Sequence, residues 1–174
     1  MSLGAMEALD GIRVGDLIRA ARVGRSTFYA HFENKDDFVC RAFADMISLC
    51  DRRQREAGGT DILPIEPLIL HIASARSFAM TTARSPILGA MLASGERRLR
   101  AIAVANLLDA HPEMPPALRR QAAAFLAGAL IGQIRMWLEA DLNGAAETLI
   151  ESHRLLARAS LQAFSEPSAA LAHA

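Results

Sequence analysis

Phe38, Val39, Ala42, Phe43, Met46, Ile47 and Cys50 recur at alternating steps of one and three, which places all of them on one face of an α-helix and scatters them over both faces of any strand. The same three-and-four spacing returns in segment after segment, and no run alternates Val, Ile or Thr as a half-buried strand does. Hydrophobic residues make up 52% of the chain and aromatic ones only 5%, with Ala and Leu abundant. Local propensity therefore points to helix nearly everywhere, and the expected fold class is all-α. At 174 residues the chain can form one domain, or a small module leaning on a larger one.

Breaks in the periodicity divide the chain. After Gly11, Val14, Leu17, Ile18 and Ala21 mark a short helix, and a break at Arg22 to Gly24 separates it from two turns over Arg25 to Phe32. A longer helix starts near Asp36 and stops at Gly58-Gly59, the expected module boundary. Five more helices are predicted over Leu63–Met80, Ile87–Ser94, Arg97–Ala110, Pro116–Ala140 and Ala145–Phe164, with breaks at Arg84-Ser85-Pro86, Gly95, His111-Pro112 and Asn143-Gly144. The expected units are a head with its connecting helix over 1–55, a helical domain over 60–164, and a frayed tail over 165–174.

A formal net charge of zero excludes a generally cationic, histone-like binder and requires any nucleic-acid surface to be a local patch. Cys40 and Cys50 stand too far apart along one predicted helix to bond, and lack the spaced partners of a zinc site. They read as reduced thiols of a cytoplasmic protein. With no uninterrupted apolar run long enough to span a bilayer and no signal-peptide pattern, no membrane partner is expected.

Two short helices joined by a three-residue turn fit the major groove of double-stranded DNA when the second presents hydrogen-bonding side chains near its N-terminus. Arg25 suits guanine edges, Ser26 and Thr27 suit bases or phosphates, and Tyr29 and His31 suit the sugar-phosphate backbone. Lys35, just ahead of the next helix, is placed to meet a phosphate at that helix's positive end. Over residues 13–36, Arg13, Arg19, Arg22, Arg25 and Lys35 outnumber Asp16, Glu33 and Asp36 by two, so the positive charge is local.

The run Val14-Gly-Asp-Leu-Ile, then Ala21-Arg-Val-Gly-Arg-Ser-Thr-Phe-Tyr-Ala-His-Phe, then Lys35-Asp-Asp-Phe resembles the DNA-binding signature of the TetR family of transcriptional regulators. The most distinctive part is Thr27-Phe28-Tyr29-Ala30-His31-Phe32 with Lys35. The resemblance implies a homodimeric repressor with a helix-turn-helix head joined to an α-helical ligand-binding and dimerisation domain. It further implies that Arg25, Ser26, Thr27, Tyr29, His31 and Lys35 face DNA, while Leu17, Val23, Phe28 and Phe32 pack the head. Three departures stand out. Only Ser2 to Asp10 precede the motif, which is short for the family's first helix; Arg22 replaces the usual turn glycine; and Gly24 replaces a serine-type cap. The latter two are expected to weaken turn and cap by roughly 1 kcal/mol each. Arg13 likewise replaces a capping threonine.

Beyond residue 60 the resemblance is one of helix pattern, strongest over Phe125 to Leu138, which is similar to the penultimate helix of many members. An effector cavity is expected among His71, Phe78, Met80, Met91, Phe125, Gln133 and Trp137, whose apolar and deformable walls suit a small hydrophobic or amphipathic compound. Arg76, Arg84 and Arg135 are further candidates to orient a polar group. Small residues on the penultimate helix and a near-heptad stripe on the last predict a dimer interface through Ala122, Leu126, Ala129, Leu130, Leu149, His153 and Leu156, the alternative being an intramolecular core. No nucleophile-base pair, paired carboxylates, phosphate loop or metal-spaced cluster marks an enzyme, and no cofactor is expected. The function expected is an effector-released repressor that binds a palindromic operator. The alternative is a dimeric small-molecule or partner-binding protein of the same fold with a truncated, inactive head.

Overall fold

The computed structural model describes residues 14–22 and 24–165, and of Asp16, Leu17, Ala20, Ala21 and Ser165 the backbone alone. Ser2 to Asp10, Arg13, Val23, the side chain of Leu17 and most of the tail lie outside what is described. The described residues are all-α, with no strand: α1 Val14–Ala21, α2 Arg25–His31, α3 Lys35–Glu56, α4 Ile65–Ser74, α5 Arg76–Ala83, α6 Leu88–Ala110, α7 Pro116–Glu139 and α8 Ala146–Ser165. None of these helices is long and apolar enough to cross a membrane.

α6 is the centre of the molecule, packed on α3 and on α7, while α8 lies against α4 and α7. Leu99, Ala103 and Leu107 of α6 meet Ala122, Ala123, Leu126, Ala127 and Leu130 of α7 in a core with almost no solvent exposure. The alanines let the two helices approach closely, and each fully buried Leu or Ile adds about 1.5–3 kcal/mol. The last turns of α3 join the same core through Ile47 and Cys50. A smaller cluster of Val39, Ile87 and Met91 ties the start of α3 to the start of α6, and Phe43 packs against both clusters. α3 is thus shared between the N-terminal helices and the bundle.

Gly58-Gly59 closes α3 tightly. Gly58 takes φ +77 and donates its N–H to Arg55 O (2.9 Å), and Gly59 donates to Gln54 O (2.8 Å), a Schellman turn that exposes no loose linker. Gln54 Nε2 pins the following strand of chain through Asp61 O (2.8 Å).

Two predicted boundaries differ. The segment Leu63–Met80 is two helices, because Ala75 (φ −97, ψ 32) leaves helical geometry between them. Arg76, the first residue of α5, then reaches the carbonyls of Asp141 and Leu142 at the end of α7. Arg76 is therefore occupied as a helix cap, and Arg84 lies 3.5 Å from Asp141. Conversely, Gly95 interrupts nothing: α6 runs straight through it. A Cβ there would lie 3.0 Å from Phe43 Cδ1 and 3.2 Å from Ile47 Cδ1, so the glycine marks where α3 crosses α6. On an exposed helix, Gly→Ala stabilises by about 1 kcal/mol. Gly95→Ala is expected to do the opposite, lowering stability by about 1–3 kcal/mol in urea denaturation, because the added methyl overpacks the crossing.

Cys50 is buried and Cys40 half-buried, both as free thiols, and burial raises the pKa of each above its ordinary value. Neither has the character of a reactive thiolate.

Candidate functional site

Two of the departures noted in the motif, Arg22 and Gly24, flank the junction between α1 and α2. Arg22 sits at φ 54, in the left-handed region that glycine enters without strain and other residues reach at about 1–2 kcal/mol. Gly24 is the N-cap of α2, extended at φ −75 and ψ 155, and supplies no side-chain cap. Arg22→Gly is expected to stabilise the head by about 0.5–1 kcal/mol, the relief of strain exceeding the flexibility added to the unfolded chain. The check is a higher denaturation midpoint read from Tyr29, the only tyrosine.

On α2 a single side chain, Phe28, is buried, at 5% exposure. It stacks against Tyr29, Phe32 and Phe38 at ring separations of 5.4, 5.2 and 5.9 Å, which fixes the helix to the start of α3. Arg25, Ser26, Thr27, Tyr29, Ala30 and His31 are all exposed. The five polar or aromatic members of that set are the residues singled out from the sequence, and one anchored helix carries them.

The start of α3 is more acidic than the expected phosphate site there requires. Asn34 caps it by accepting the Asp37 N–H (2.9 Å), and Asp37 accepts the Glu33 N–H (3.1 Å) and pairs with Arg41 (2.8 Å). The hydrogen bond from Arg41 holds the Asp37 carboxyl below its ordinary range. Asp36 and Asp37 already complement the helix dipole in the first turn of α3, and Lys35, the first residue of that helix, is half-buried.

The residues expected around an effector are only partly brought together. His71, Phe78 and Met91 do converge on one small cavity of about 70 Å³, together with Phe43, Met46, Thr82 and Ile134. Its wall is almost wholly apolar, and Thr82, buried, directs its hydroxyl to Phe78 O (2.9 Å). Met80 packs elsewhere against the core, and Trp137 is buried in the bundle. Phe125 is half-exposed and edge-on to Phe164, while Gln133 is taken up by His153, 2.7 Å away. The missed members Phe43 and Met46 belong to the stripe of α3. Their spacing showed an apolar face but not that part of it borders a void.

The predicted dimer stripe is turned the other way. Ala122, Leu126 and Leu130 are fully buried within the chain and His153 nearly so, because α6 and α8 occupy that face of α7. Ala129 and Leu149 are half-buried and Leu156 is exposed. The outward face of α7 carries Phe125, Gly128, Ala129, Gly132 and Met136, and that of α8 carries Leu155 and Leu156. Phe125, Met136, Leu155 and Leu156 are 52–70% exposed, and no atom lies within 4 Å of where a Cβ on Gly128 or Gly132 would stand. These residues leave apolar side chains exposed on the outward faces of α7 and α8.

Among the described residues no cluster of His, Cys, Asp or Glu could hold a metal ion. No protein-family model, curated protein or solved structure matches the chain.

Proposed function

We propose that this protein is a DNA-binding transcriptional regulator of the TetR type, a dimer that reads a palindromic operator through α2 and is released by a small apolar or amphipathic effector. The observation that carries the reading is the division of labour on α2: Phe28 alone anchors the helix, and Arg25, Ser26, Thr27, Tyr29 and His31 project from it into solvent. Groove recognition requires several exposed hydrogen-bonding groups on one anchored helix, and α2 presents them.

The remaining parts support the same reading. The cavity beside Phe43 touches α3, the helix that carries the head, and Phe43 packs on both clusters that hold α3 to the bundle. A ligand that prefers a widened cavity displaces Phe43 and tilts α3, which changes the spacing of the two heads in a dimer. The outward apolar face of α7 and α8 supplies the dimer contact.

Residue-specific binding tests the reading. Arg25→Ala is expected to relax preference at one base pair by about 1–3 kcal/mol, while Tyr29→Phe and Lys35→Ala weaken binding to all duplexes alike and Lys35→Ala lowers the salt dependence. Equal, sequence-blind losses from all three would refute the assignment of roles. A folded protein with no salt-sensitive duplex binding would instead favour a ligand-binding protein with a silent head.

A further inference from the structure

A second cavity, of about 200 Å³, lies at the end of α6 remote from Val39 and shares no residue with the cavity at Phe43. Its floor is the buried apolar set Leu63, Ile65 and Leu126, and Ala157 and Leu161 of α8 form one side. Polar groups stand around this apolar body, and they are not equivalent. Arg154 and Asp61 are committed to each other at 2.8 Å, and Arg154 also holds Glu66 (2.7 Å) and Glu151 (3.3 Å). Arg158, one turn further along α8, lines the mouth, is exposed, and has no carboxylate in salt-bridge range among the described residues. His111, half-buried, stands at the same opening 3.9 Å from Glu113.

His153 also lines the cavity at 4% exposure. Its Nδ1 lies 2.7 Å from Gln133 Oε1, and an amide oxygen can only accept, so Nδ1 carries the proton. Nε2 is left without a partner among the described residues.

We infer that this cavity is a binding site for a small monocarboxylate with an apolar body, its carboxylate paired with Arg158 at the mouth and its chain laid against Leu63, Leu126, Ala157 and Leu161. The apolar floor selects the body, and the unmatched guanidinium selects the charge, as a forked donor suits a carboxylate. The site stands whether or not the chain binds DNA.

Octanoate and 1-octanol, titrated calorimetrically into the full chain, share a body and differ in charge. Octanoate is expected to bind about tenfold more tightly than 1-octanol. Arg158→Gln, an exposed change that should not disturb folding, brings octanoate down to the level of the alcohol, and Arg158→Lys restores part of the difference. Ala157→Met fills the cavity and removes both ligands, and octanoate shifts the ring resonances of His111 and His153 in the parent protein. Absence of octanoate binding, equal affinity for the two probes, or octanoate binding indifferent to both Arg158→Gln and Ala157→Met would each overturn the assignment.

Discussion

Phe28→Ala is expected to abolish recognition of duplex DNA while the helical bundle stays folded. Phe28 is the single buried side chain of α2 and the centre of the ring cluster with Tyr29, Phe32 and Phe38. Truncating a buried phenylalanine costs about 3–5 kcal/mol. A whole domain has only about 5–15 kcal/mol, and Phe28 is the largest buried anchor among the described residues of α1 and α2. Phe28 belongs to neither of the clusters that hold the bundle together, so the loss stays local. The chain contains one tyrosine and one tryptophan, which separates the two parts spectroscopically: Tyr29 sits in the head and Trp137 is buried in α7. The variant should keep the Trp137 emission and its unfolding transition, lose the native Tyr29 signal, and show no fluorescence anisotropy change with operator DNA. Undiminished DNA binding would mean that α2 is positioned by something other than this ring cluster.

Asn106→Leu is expected to lower stability by about 3 kcal/mol, and at this chain length the melting temperature by roughly 10 °C. Asn106 is 9% exposed on α6. Its Nδ2 donates to Asp51 Oδ1 (3.2 Å) on α3 and to Ile62 O (2.9 Å) in the α3–α4 connection, and its Oδ1 accepts from Arg55. Leucine has nearly the same shape but can do none of this. It leaves the buried Asp51 carboxylate with Arg55 as its remaining side-chain partner and strands the Ile62 carbonyl, and removing one member of a buried charged network is more damaging than removing all of it. Asp51→Asn in the leucine background should recover part of the loss by taking away the charge. A double variant as unstable as the single one would show that the carboxylate is not the source, and an unchanged melting temperature would show that water satisfies these groups without Asn106.

The helical class and most helix positions were legible because the apolar spacing is a local property of the chain. α1, α2, α3, α7 and α8 begin and end within a residue or two of the breaks in periodicity. What was not legible depends on partners distant in sequence. Gly95 looks like a helix stop, yet it is where α3 comes closest to α6, and only the position of Phe43 distinguishes these uses. Ala75 offers no glycine or proline to announce a break, and the arginine after it is directed by the carbonyls at 141 and 142. The stripe Ala122, Leu126, Leu130 was correctly read as apolar, but α7 has two apolar faces, and which one its own chain covers is decided by α6 and α8. The exposed residues of α2 fared differently. Their exposure follows from Phe28 and Phe32, four apart, both turning inward, which the sequence already implied.

The measurement that bears most directly on the central claim is selection from a random duplex library by the purified protein at near-physiological salt. The expected result is enrichment of a palindromic site whose half-sites lie about one helical turn apart, with the enrichment lost on Phe28→Ala and altered at one position by Arg25→Ala. No enrichment from protein whose Trp137 emission and dimeric mass show it to be folded and assembled would contradict the reading of α2 as a DNA-recognition helix.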